Sequence, residues 1–182
     1  GGADIERAVR DTREIVEAGG HEVDVVLPCA RLMQGDEGAV TGLLAAVRRA
    51  CDGLTLKVIL ETGTLAAEPL IARAAQLSLD AGADFLKTST GKTAISATPQ
   101  AATVMLNAIA ADPRRDHVGL KASGGIRTVA EATTYFALVE NILGAQALTP
   151  QRFRIGASSL LNDIEAVLGS RTAPPPAAPG SY

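Results

Sequence analysis

The chain has 182 residues, 47% of them hydrophobic and only 3% aromatic, and carries a net charge of −3. That composition describes a globular domain with an aliphatic core and excludes a disordered or fibrous chain. Mild acidity argues against nucleic acid or an anionic membrane as partner, and no apolar stretch approaches the ~20 residues that span a bilayer. Two cysteines, Cys29 and Cys51, are too few for a disulfide framework and point to a reduced, cytoplasmic protein.

The chain opens "GGADIERAV", without an initiator methionine or a signal-peptide pattern, which predicts a cut within a longer natural chain. The first helix, "ADIERAVRDTREIVEAGG", has Asp4 as its N-cap and Gly19-Gly20 as its stop. A short β-branched strand, "EVDVVLP", ends at Pro28. A second helix is predicted over 36–51, followed by the strand "LTLKVILETG" and the helix "AAEPLIARAAQLSLDAG". Next come the strand "ADFLKTST" and the helix "TPQAATVMLNAIAAD", with Thr98 as cap and Pro99 at the favoured first position. The strand "HVGLKASGG", the helix "TVAEATTYFALVENILG", the strand "RFRIGASS" and the helix "SLLNDIEAVLG" complete the pattern.

One helix followed by five strand–helix units predicts an α/β fold with a parallel sheet covered by helices. An open doubly wound sheet calls for a glycine-rich phosphate loop after its first strand, and "VVLPCARLMQG" is not one. Polar residues instead lie in or at the ends of the strands, at Asp24, Glu61, Lys87, Lys121 and Ser158. That favours a (β/α)8 TIM barrel, of which this chain would supply about the last five strands. Beyond Gly169, "SRTAPPPAAPGSY" reads as a flexible proline-rich tail, so the expected organisation is a barrel portion over 1–169 and a tail over 170–182 ending in Tyr182.

Strand alternation puts Asp24, Lys87 and Lys121 on the face opposite the apolar residues of their strands. Taken singly, each has an ordinary explanation: a strand aspartate caps or pairs structurally, and a strand-end lysine snorkels to water. Two ammonium groups and a carboxylate gathered in one interior need mutual compensation. A neighbouring like charge and burial both favour the neutral amine, and a neutral lysine is a nucleophile able to form an imine with a carbonyl substrate. "SGGIRT" and "GASS", after the last two strands, supply loop glycines and a helix N-terminus where a phosphate would sit.

Together "EVDVV", "LKVILETG", "ADFLKTSTGK", "GLKASGGIRT" and "RFRIGASSLL" resemble the deoxyribose-phosphate aldolases, class I aldolases on a (β/α)8 barrel. The resemblance runs from Asp4 to about Gly169. It implies that Lys87 forms the Schiff base, that Lys121 is the second lysine, which depresses the pKa of Lys87, and that Asp24 is the acid/base carboxylate acting through a water. It implies further that Gly91, Lys92, Gly124, Gly125, Arg127, Gly156, Ser158 and Ser159 surround the substrate phosphate, and that Tyr182 assists proton transfer from the tail. The implied reaction is reversible cleavage of 2-deoxy-D-ribose 5-phosphate to acetaldehyde and D-glyceraldehyde 3-phosphate, with no metal and no cofactor. The implied partner is a small phosphorylated sugar. With five strands of eight, the chain is also expected to expose barrel edges through which it associates, as a homodimer for example. Two alternatives stay open: an inactive or partner-dependent barrel fragment, and another phosphate-binding Schiff-base aldolase.

Overall fold

A computed structural model describes residues 2–172. Helix α1 (Ile5–Glu17) precedes strand β1 (Glu22–Val26), and its N-terminus is capped by the Asp4 carboxylate, which accepts from the Arg7 N–H. After β1 come a single turn, α2 (Cys29–Met33), and α3 (Glu37–Ala50), capped by Asp36. Strand β2 (Thr55–Ile59) leads into the short α4 (Thr62–Leu65) and then α5 (Glu68–Asp80). Strand β3 (Phe85–Lys87) and helix α6 (Pro99–Ala111) follow, with Thr98 capping α6 and Pro99 in its first turn. Strand β4 (Gly119–Ser123) precedes α7 (Val129–Leu143), which starts with a reciprocal capping box between Thr128 and Glu131. A 3₁₀ turn at Ala145–Ala147 and strand β5 (Phe153–Gly156) lead to α8 (Leu160–Thr172).

The five strands are all parallel and lie in the order β1-β2-β3-β4-β5. A doubly wound sheet reverses its strand order at a switch point, whereas a barrel adds each strand beside the last. These are five consecutive units of a (β/α)8 barrel, as the strand–helix pattern predicts. Side chains on one face of the sheet, including Val23, Leu56, Val58, Leu86, Leu120 and Phe153, pack against the helices and belong to one continuous core. Burying each such side chain is worth roughly 1.5–3 kcal/mol, so this outer face supplies the cohesion and leaves the inner face free to carry charge.

The sheet curls toward that inner face. In a flat sheet four inter-strand steps would put β5 roughly 19 Å from β1. Yet Arg154 on β5 donates to both carboxylate oxygens of Glu22 on β1, at 2.8 and 2.9 Å. The first and last strands therefore bend toward one another across a concave surface.

Three boundaries differ from the sequence reading. Strand β3 stops at Lys87, because from Thr88 onward the chain turns away to pack its hydroxyls against β4. Helix α8 continues through Gly169 to Thr172, three residues past the predicted start of the tail, since a lone glycine weakens a helix by only about 1 kcal/mol without ending it. The turns α2 and α4 are too short to show a helical period. Among the described residues no helix is long and apolar enough to cross a membrane.

Candidate active site

Alternation along the strands places the charged residues on the concave face. Lys57 is the register partner of both Asp24 and Phe85, and Lys121 that of both Lys87 and Arg154. The sequence singles out Asp24, Lys87 and Lys121, and the fold brings all three to this face. Asp24 is held from two sides: Lys87 Nζ lies 2.8 Å from one carboxylate oxygen and Lys57 Nζ 2.9 Å from the other. Lys57 in turn donates to Glu22 at 2.6 Å and is only 4% exposed. Arg154 completes the row, pairing with Glu22, donating from Nε to the Pro150 carbonyl and lying 4.6 Å over the Phe85 ring. Phe85 has room because β4 begins with Gly119, where any Cβ would collide with the ring.

The charges alternate along this row until they reach Lys121. Among the described residues no carboxylate comes within ion-pair distance of it, and its pKa is held below the usual lysine range. Burial is the main cause and the neighbouring Lys87 charge the next, while Asp24 opposes them. The lysine lowered in this way is Lys121. The residue that the sequence nominates as nucleophile, Lys87, is held in an ion pair with Asp24. Burial pushes the Asp24 carboxyl upward, but hydrogen bonds from Lys87 and Lys57 outweigh it and leave the pKa below the ordinary aspartate value.

A cavity of about 480 Å³ opens beside the two lysines. Lys87 and Lys121 form one wall, and the loops after β3, β4 and β5 form the rest, contributing Gly91, Gly124, Gly125, Arg127, Gly156, Ser158 and Ser159. Gly125, at φ +81, presents an N–H that has no hydrogen-bond partner among the described residues. Two of the residues named from the sequence sit differently from the rest. The Gly124 N–H is already spent on the Gly156 carbonyl at 3.1 Å, so Gly124 shapes the loop without offering a donor. Lys92 does not line the cavity; it sits exposed on the adjoining loop, where its N–H donates to the Thr90 hydroxyl. Tyr182 lies outside the described residues.

The loop after β3 is held by Glu61, at the end of β2. Its buried carboxylate accepts from the Thr90 hydroxyl at 2.6 Å, the Thr90 N–H at 3.2 Å and the Thr93 hydroxyl at 3.3 Å. Glu61 does so from a left-handed backbone, φ 51 and ψ 57, a conformation costly for a residue with a side chain. Lys57, Glu22, Arg154 and this use of Glu61 are absent from the sequence reading. Alternation applied to "LTLKVIL" puts Lys57 opposite Leu56 and Val58, so that signal exists in the chain; the left-handed turn has no such signature. Among the described residues no three His, Cys, Asp or Glu side chains gather as a metal site would require.

Known proteins share this arrangement of strands and loops. A family model for the DeoC/LacD family aldolases matches residues 2–166. A deoxyribose-phosphate aldolase from Agrobacterium fabrum is 46% identical over 92% of this chain, which spans 64% of that relative's length. Among solved structures, a tetrameric deoxyribose phosphate aldolase from Aeropyrum pernix superposes with a TM-score of 0.70 at 29% identity, over 93% of this chain and 64% of that one. An aldolase designated QR15 superposes with a TM-score of 0.73 at 27% identity, over 92% of this chain and 68% of that one. The chain belongs to the DeoC/LacD family of aldolases.

Proposed function

We propose that this chain carries the Schiff-base centre of a deoxyribose-phosphate aldolase, which cleaves 2-deoxy-D-ribose 5-phosphate reversibly to acetaldehyde and D-glyceraldehyde 3-phosphate. The observation that carries the reading is the Lys87–Lys121 register pair, with Asp24 2.8 Å from Lys87, opening onto a cavity walled by three loops. Lys87 attacks the open-chain aldehyde carbon, and loss of water leaves a protonated imine. Lys121, whose pKa burial and the Lys87 charge hold below the usual lysine range, is placed to accept the proton that Lys87 must lose before it attacks. The iminium draws in the electron pair of the C2–C3 bond as Asp24, through a water, takes the C3 hydroxyl proton. Glyceraldehyde 3-phosphate departs, the enamine is protonated at C2, and water releases acetaldehyde from Lys87.

The phosphate would sit at the far end of the cavity. The Gly125 amide, the residues Gly156, Ser158 and Ser159 that lead into α8, and Arg127 offer donors and positive potential there. Gly91 and Gly124 let the chain approach closely, and Lys92 adds charge at the rim. Tyr182 keeps the tail role that the resemblance implies. Two buried free thiols support a reducing, cytoplasmic setting, and the outer edges of β1 and β5, which have no strand partner among the described residues, support association between copies.

Borohydride reduction in the presence of acetaldehyde tests the assignment in the full-length protein. A single reductively ethylated lysine, mapped by mass spectrometry to Lys87, is the expected result. An adduct on Lys121 or Lys57, or none, would overturn it.

A further inference from the structure

Asp24 has two carboxylate oxygens and two lysines to serve, Lys87 and Lys57. If Lys57 were free to move, it could draw the carboxylate away from Lys87, since a single unit charge can satisfy either ammonium. Lys57 is not free. Glu22 takes it at 2.6 Å, shorter than its 2.9 Å contact with Asp24, and Glu22 is itself clamped by Arg154 from the opposite end of the sheet. Arg154 is fixed in its turn by the Pro150 carbonyl and the Phe85 ring. The row runs cation, anion, cation, anion, cation over β5, β1, β2, β1 and β3. None of these groups beyond Asp24 and Lys87 has a part in the proposed chemistry.

We propose that Glu22, anchored by Arg154, is a positioning residue for the Schiff-base centre: it divides Lys57 between two carboxylates, so that Asp24 stays directed at Lys87. It also sets the charge balance of the face. The charged groups facing the pair are Lys57 from β2, Lys87 from β3, Lys121 from β4 and Asp24 from β1, while Glu61 spends its carboxylate on Thr90 and Thr93. Four cations, Lys57, Lys87, Lys121 and Arg154, are thus met by two carboxylates, Glu22 and Asp24. Removing Glu22's charge makes protons on this face easier to lose, and removing Arg154's makes them harder to lose.

The inference rests on the aldolase reading for the identity of the centre, and its test uses a readout that needs no catalysis. Full-length wild type, Glu22→Gln and Arg154→Gln are acetylated with limiting acetic anhydride across a pH series, and the modification of Lys121 is followed by mass spectrometry. Glu22→Gln should move the Lys121 midpoint to lower pH by on the order of half a unit, and Arg154→Gln should move it to higher pH. A purely structural pair would lower the melting temperature of both variants and leave the midpoints together. In the same proteins, trapping of acetaldehyde at Lys87 should slow by about tenfold in Glu22→Gln, because Asp24 can turn toward Lys57. Midpoints that coincide with wild type, or that move in the same direction in both variants, would overturn the inference. If Glu22→Gln does not fold, the direction of the Arg154→Gln midpoint decides by itself. Failure of wild type to trap acetaldehyde sinks the aldolase reading and leaves the acetylation result standing.

Discussion

Asp24 concentrates the site's electrostatics in one side chain. A surface ion pair is worth at most about 1 kcal/mol, whereas stripping one partner from a buried pair costs 3–5 kcal/mol. Asp24 lies between these limits: its side chain is 31% exposed, yet one of its two lysine partners is almost fully buried. Asp24→Asn should therefore destabilise the fold by about 2 kcal/mol at pH 7. The pH dependence has a definite sign. A carboxyl whose folded pKa is depressed contributes stability above its unfolded value, about 3.9, and loses it as pH falls through the folded pKa. Urea denaturation of wild type and Asp24→Asn should thus differ most at neutral pH and converge progressively as the pH falls below about 3.9. A gap that stays constant with pH would assign the loss to packing and not to charge.

At the scale of the element, the junction between β2 and α4 is where the fold pins the loop after β3. Glu61 adopts a left-handed conformation to reach the loop after β3, and the turn that follows brings Gly63 so close to the Ile95 carbonyl that no Cβ fits. Glu61→Ala keeps the backbone cost and discards three hydrogen bonds, two of them to hydroxyls and one to the Thr90 N–H, for a loss of about 2–4 kcal/mol. Glu61→Gly discards the same bonds but relieves the backbone, so it should be the milder variant by up to about 1 kcal/mol. Thermal melts of the pair check this, and the reverse order would mean that Glu61 is not strained. Much of this level could be read from the chain: the caps at Asp4 and Thr98, the proline opening α6, and the alternation that gathers Asp24, Lys87 and Lys121. These are local rules, each decided within a few residues. The Glu22–Arg154 pair was not legible, because it depends on how far the sheet curls across a sequence separation of 132. The spent Gly124 amide was not legible either, since its acceptor belongs to another strand.

At the largest scale, the sheet of the described residues is an arc. Among the described residues β1 and β5 each pair with one neighbour, leaving a row of backbone donors and acceptors along each outer edge. A closed eight-stranded barrel has no such edges, and its interior is filled by its own side chains. Here Asp24 is exposed on the concave face, and large apolar side chains stand uncovered on the helices at both ends: Ile5, Ile15 and Val16 on α1, and Leu161, Val167 and Leu168 on α8. Edge and apolar surface therefore occur together at each end, which is the combination that templates pairing between chains. Produced as these 182 residues alone, the chain should form species whose mean mass in light scattering rises with concentration, and its melt should broaden as they dissociate. Added salt should strengthen the association, because it screens the concave charges while leaving burial of the apolar ends intact. A monomer of constant mass with one sharp melting transition would show that the arc is self-sufficient, with the Glu22–Arg154 clasp holding its two ends together unaided.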